Sequence, residues 1–317
     1  MSYDRLDAKA HARAHLRGIW AAALTPMLPD FAIDEAGFRR NIRHWVDDLG
    51  IAGLFINGKQ GEFFSMSLAE RKRSFDIAVE ETGGRAGTIM SCSDQNFDTV
   101  LELARHAQAI GADYIVVHAP VLHFLHDRDD TLFNYYRILC EELQIGIAMW
   151  SHPDSGYIMS PELCARIAAL PNIVAIKYSV EREHYRRLTE LAGDSLLVST
   201  ASEEEWLDNI VELGWQLYLC SSPPYLLQTR ADRRMHDYTE LAFAGRVDAA
   251  RRVRDSLEPV RRALKQTRPG GKPQAHQKYW QELLGQAGGP VRPPLLQLTE
   301  AEKAATRAAF EGCGLSL

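Results

Sequence analysis

Short apolar runs rich in Val, Ile and Ala recur along the chain. They alternate with segments whose apolar positions fall every three to four residues. The runs occupy residues 18–27, 51–59, 86–94, 112–120, 145–153, 173–180, 195–202 and 216–224. Between them lie helical patterns such as 34–49, Leu68–Thr82, 96–110 and 161–169. Leu101, Ala104, Ala107 and Ile110 mark one face of such a helix. Ser67 with Glu70 three positions on predicts a capped N-terminus, and Gly111 predicts the end of the helix before it.

Strands alternating with helices predict parallel strands joined by right-handed crossovers. Eight repeats of that unit over residues 18–245 match a (β/α)8 TIM barrel. A doubly wound open sheet is the alternative, but the GxGxxG turn often found after its first strand is absent. Residues 1–17 read as an N-terminal extension. From 246 to 317 the strands cease: 246–266, 274–284 and Glu300–Glu311 are helical in pattern, and 288–294 is a Gly- and Pro-rich turn. The barrel is therefore expected to carry a C-terminal helical appendage.

Composition narrows the function. With 317 residues, 46% hydrophobic and 25% charged, the chain is an ordinary globular one. Its net charge of −6 and lack of a basic run argue against a nucleic-acid partner. No apolar stretch is long enough to span a membrane, and residues 1–18 lack the apolar segment of a secretory signal. Cys92, Cys140, Cys164, Cys220 and Cys313 are odd in number and form no CxxC, which points to a reducing compartment. A soluble, cytoplasmic protein is expected.

Active sites of such barrels lie at the C-terminal ends of the strands. That rule selects Thr25, Lys59, Gln60, Glu62, Asp94, His118, Trp150, His152, Lys177, Ser179, Ser202 and Ser221. Two-residue alternation turns Val174, Ile176 and Tyr178 towards the helices, and Ile173, Ala175, Lys177 and Ser179 into the barrel. A lysine there loses hydration, so its pKa falls and a neutral, nucleophilic amine becomes available. That amine can form an imine with a ketone, and the imine acts as an electron sink for C–C or C–O cleavage. The competing readings are a lysine paired with a buried carboxylate and a strand set one residue out of register.

Several strings resemble the dihydrodipicolinate synthase / N-acetylneuraminate lyase family. They are Ala23-Leu-Thr25-Pro26-Met27, Asn57-Gly58-Lys59-Gln60-Gly61-Glu62, the segment 112–120, Trp150-Ser151-His152-Pro153 and Ile176-Lys177-Tyr178-Ser179. The resemblance runs from about Gly18 to Leu298. It implies a class I (Schiff-base) lyase, either an aldolase or a dehydratase, that holds a 2-oxo acid on Lys177 without metal or cofactor. It also implies a homo-oligomer, tetramer or dimer. Gly58, Lys59, Gln60, Trp150 and Ser179 would then contact substrate.

The departures from that family matter as much. Its fifth-strand tyrosine is Trp150 here, which donates one hydrogen bond but exchanges no proton near neutrality. The first threonine of its second-strand motif is Lys59, and its intersubunit tyrosine corresponds to Leu122. The arginine that its synthases carry beyond the fifth-strand proline is missing from Pro153-Asp154-Ser155-Gly156-Tyr157. A true dihydrodipicolinate synthase is thus unexpected. His118 and His152 are the candidates for acid–base work, against the plainer reading that they bond backbone at the rim. Lys59 either grips a carboxylate and depresses Lys177, or is a solvated loop residue. Glu62 is expected to be a structural acceptor. Two other functions stay open: a silent family member that binds a small carboxylate as a sensor or regulatory subunit, and a metal-dependent lyase using His118, His123, His126 and Asp127.

Overall fold

In the computed structural model, which describes residues 3–123, 126–200, 202–220 and 223–317, eight parallel strands form a barrel. They are β1 Gly18–Ala22, β2 Gly53–Ile56, β3 Gly87–Ser91, β4 Tyr114–His118, β5 Gly146–Ser151, β6 Ile173–Tyr178, β7 Leu197–Ser199 and β8 Leu217–Leu219. The hydrogen-bonded order runs β7-β6-β5-β4-β3-β2-β1-β8. Where β8 meets β7, the Leu219 N–H donates to Ser199 Oγ at 2.7 Å, a side chain standing in for a ladder bond.

Register assembles the site. His118 is level with Trp150 across β4 and β5, Trp150 with Lys177 across β5 and β6, and Lys177 with Ser199 across β6 and β7. Four chemically distinct side chains from adjacent strands thus share one tier near the mouth of the barrel. Each strand is shorter than its apolar run. Residues such as Ala23, Leu24, Ala119 and Cys220 remain buried beyond the ladder, so hydrophobicity continues where pairing has stopped.

Helices α2 Glu35–Arg43, α3 Leu68–Thr82, α4 Phe97–Ala109, α5 Arg128–Glu142, α6 Pro161–Ala168, α7 Arg182–Ala192, α8 Trp206–Leu213 and α9 Arg234–Phe243 follow the strands in turn. The α3 bounds match the predicted ones because Ser67 and Glu70 form a full capping box. The pattern over 34–49 divides, since α2 passes into a π-turn at His44–Asp48. The segment before β1 is ordered too. Helix α1, Ala8–His15, buries Ala8 and Ala12, and Leu16 follows it into the core. It packs beside β5 and β6, where Lys9 donates to the carbonyl of Ala168 and Tyr3 Oη accepts from the N–H of Gly146.

Beyond α9 come α10 Val247–Ser256, α11 Glu258–Gln266, α12 Pro273–Leu283 and α13 Glu300–Glu311. The single helix predicted over 246–266 breaks at Leu257, because Pro259 in the first turn of α11 has no N–H to continue the ladder. This region reaches back to the barrel mouth. Lys278 on α12 pairs with Glu62 at 2.5 Å, both side chains fully buried. The Arg292 N–H donates to the other Glu62 oxygen at 2.9 Å, while its guanidinium holds Glu70.

Candidate active site

Lys177 is 1% exposed and lies inside the barrel, as strand alternation predicts. Its Nζ donates to the carbonyl of Cys220 at 2.9 Å. Among the described residues no carboxylate pairs with it. Burial depresses its pKa to about 8, while the neighbouring Cys220 opposes the shift and Lys59 adds a smaller like-charge push. Lys59 therefore acts in the anticipated direction, but desolvation is the main cause. The Cys220 thiol is itself pushed up to about 11 by burial, so it is no thiolate counter-ion.

Two aromatic rings enclose the amine. The Phe55 centroid lies 5.0 Å from Nζ and the Trp150 centroid 5.3 Å, with the rings edge-to-face 5.6 Å apart. Gly58 makes room for this arrangement, since a Cβ there would come within 2.9 Å of the Phe55 ring. Phe55 was not among the rim candidates. Alternation back from Asn57 was the one signal that would have turned it inward.

His118 meets Trp150 edge-to-face, with ring centroids 4.7 Å apart. Its Nδ1 lies 2.7 Å from the carbonyl of Ala119 and 3.1 Å from Ser155 Oγ. A carbonyl only accepts, so Nδ1 carries the proton and Nε2 is the basic nitrogen. Burial lowers its pKa, against the pull of the Ala119 carbonyl and of Asp154. The imidazole therefore stays neutral and available as a base.

His152 faces the other side of a small charged cluster. Its Nδ1 accepts from the Asp154 N–H at 3.2 Å and lies 3.1 Å from an Asp154 oxygen. The other Asp154 oxygen is held by Lys59. Burial and Lys59 push His152 down to about 4, with Asp154 pulling the other way by less. Lys59 is thus neither a free carboxylate grip nor a fully solvated residue. Its partner Asp154 was missed because the pair joins two distant loops.

The Gly58–Glu62 loop is pinned at several points. Thr25 Oγ1 donates to the Gly61 carbonyl at 3.1 Å, and Glu62, left-handed at φ 59°, is the anticipated structural acceptor. Its partner Lys278 was not anticipated. Lys59, His118 and Trp150 line a cavity of 360 Å³ at the mouth, together with Phe63, Phe64 and Val121. Lys177 does not line this cavity, but its Nζ lies 5.3 Å from the ring of Trp150, which does. Ser179 lies just past β6, its N–H donating to the Ser151 carbonyl. Asp94 pairs with Arg71, Ser202 lies in a separate groove beside Arg261, and Ser221 falls outside the described residues. Among the described residues no three metal-ligating side chains cluster, and no helix is long and apolar enough to cross a membrane.

Comparison with known proteins places this geometry. The model of the dihydrodipicolinate synthetase family matches residues 15–312. A 4-hydroxy-tetrahydrodipicolinate synthase of Methanothrix thermoacetophila is 27% identical over 92% of this chain and 95% of its own. A probable 5-dehydro-4-deoxyglucarate dehydratase of Bradyrhizobium diazoefficiens is 28% identical over 90% of this chain and 88% of its own. Among solved structures, dihydrodipicolinate synthase from Aquifex aeolicus superposes with a TM-score of 0.83 at 20% identity. That match covers 95% of this chain and 99% of the other, and establishes the barrel. The fold, the ordered motifs and a family match over nearly the full length agree: the chain belongs to the dihydrodipicolinate synthetase family of lyases.

Proposed function

We propose that this protein is a Schiff-base lyase acting on a 2-oxo acid, with Lys177 as the nucleophile. The observation that carries the reading is an amine buried at the end of β6 without a carboxylate partner among the described residues, its pKa brought down to about 8. At pH 7 about a tenth of it is uncharged and able to attack the ketone, hundreds of times more than for an ordinary lysine. The carbinolamine then loses water to an imine, which draws electrons from the neighbouring C–C or C–O bond as that bond breaks. His118, neutral and basic at Nε2, takes or returns the proton that a fifth-strand tyrosine would otherwise handle. The reaction as proposed uses no metal, and the protein works as a cytoplasmic homo-oligomer.

Trp150 favours a second reading. It lines the cavity while Lys177 does not, as expected of a protein that binds a small carboxylate at the mouth without reacting. Incubation with pyruvate and borohydride, followed by mass analysis of the peptide that contains Lys177, separates the two. A reduced adduct on Lys177 is expected. Its absence across a panel of 2-oxo acids would transfer support to the silent binder.

A further inference from the structure

The cavity above Trp150 is built from apolar surface, and its polar side chains are already engaged. Phe63, Phe64, Ala119, Pro120, Val121 and Trp150 provide the apolar wall. Ser93 Oγ accepts from the His118 N–H at 2.9 Å and also meets Ser91 Oγ. Both ends of the Gln95 amide bond the backbone of Val121, at 3.0 and 3.2 Å. Asp94 is held by Arg71 and caps the Asn96 N–H. Lys59 and Asp154 neutralise each other.

Of the side chains that line the cavity, one carries a buried donor without a partner. Trp150 is 2% exposed, yet its Nε1–H has no acceptor among the described residues. A buried donor left unpaired is costly, and an acceptor oxygen on a ligand would satisfy it. Trp150 and His118 both line the cavity with their rings in contact, so an oxygen that reached the Trp150 donor would lie beside the one spare base, in a space whose other polar side chains are engaged. A chain of several hydroxyls would lose its hydration there without new partners, and a second carboxylate would find no uncommitted cation.

We infer that the substrate is a 2-oxo acid whose remaining substituent is apolar and of aromatic-ring size, carrying at most one polar oxygen near Trp150 and His118. This rests on the Schiff-base reading for the 2-oxo acid and on the cavity for the substituent. The two are tested separately.

In the Lys177→Ala variant no imine can form, so binding reports on the cavity. Titration calorimetry with 2-oxo-4-phenylbutanoate and with 3-deoxy-2-oxogluconate should show the phenyl acid bound tighter, on the order of tenfold or more. Val121→Asp in that background should shrink the ratio. Equal or reversed affinities, or no measurable binding of the phenyl acid, would overturn the inference. Borohydride trapping of the unmodified protein with the same acids tests the nucleophile. Adducts without a phenyl preference leave the Schiff base standing and remove the substrate class. A phenyl preference in binding without any adduct does the reverse.

Discussion

Lys177 is a charge-capable group in a place that suits a neutral one, and two consequences can be measured. Nucleophilicity belongs to the uncharged amine, so the rate of pyruvate trapping should rise with pH and level off above about 8. A rate independent of pH from 6 to 9 would contradict this. Stability follows the same proton. The folded-state pKa of about 8 lies below the ordinary 10.5, so between those values the unfolded chain binds more protons and stability rises with pH. Below pH 8 the penalty is present in full. Lys177→Met should therefore stabilise the fold near pH 7, by up to about 3 kcal/mol, while abolishing the adduct. A fall in stability on denaturant titration would show that the amine contributes net binding energy to the barrel. Lysine was legible here because alternation along β6 is strict. Its aromatic enclosure was not, since Phe55 and Trp150 meet only once the strands are set in register.

At the scale of elements, local chemistry was easier to read than pairing between distant segments. Helices α3 and α13 keep their predicted bounds because each starts with a capping box formed within four residues. Contacts that join remote segments, such as Lys59 with Asp154, leave no periodic trace. The same holds for Lys278 with Glu62, which ties α12 to the loop after β2. Removing one partner leaves an uncompensated buried charge, so Lys278→Met is expected to cost about 3–5 kcal/mol. Adding Glu62→Gln to that variant should recover part of the loss. The coupling is read from a double-mutant cycle in urea. Strict additivity would mean that the two groups do not depend on each other. The appendage is thus expected to hold the mouth loop in place, although its sequence suggested only a packed cap.

The whole molecule should respond to acid through groups that are buried neutral. His152 and His276 both have pKa values lowered to about 4, mainly by burial. As pH falls from 6.5 towards 4 the unfolded chain takes up protons that the native fold resists, so stability declines through that window. His276→Gln should flatten the decline in thermal melts, and an unchanged slope would exclude it as a contributor. In solution, light scattering should give a multiple of the 35.6 kDa chain mass, whereas a monomer would refute the proposed assembly. The barrel was legible as a rhythm of eight units, but the rhythm said nothing of how the ring closes. Ser199 Oγ is the hydrogen bond described between β7 and β8, and Lys177 on β6 reaches past β7 to the carbonyl at the end of β8. The ring is therefore a ribbon whose two ends are clasped partly by side chains, one of them the proposed nucleophile. The imine proposed on Nζ would alter its hold on Cys220, so turnover would be felt as strain along that join. Deuterium uptake at Leu219, compared before and after Lys177 is alkylated, would show whether that lysine is also a clasp.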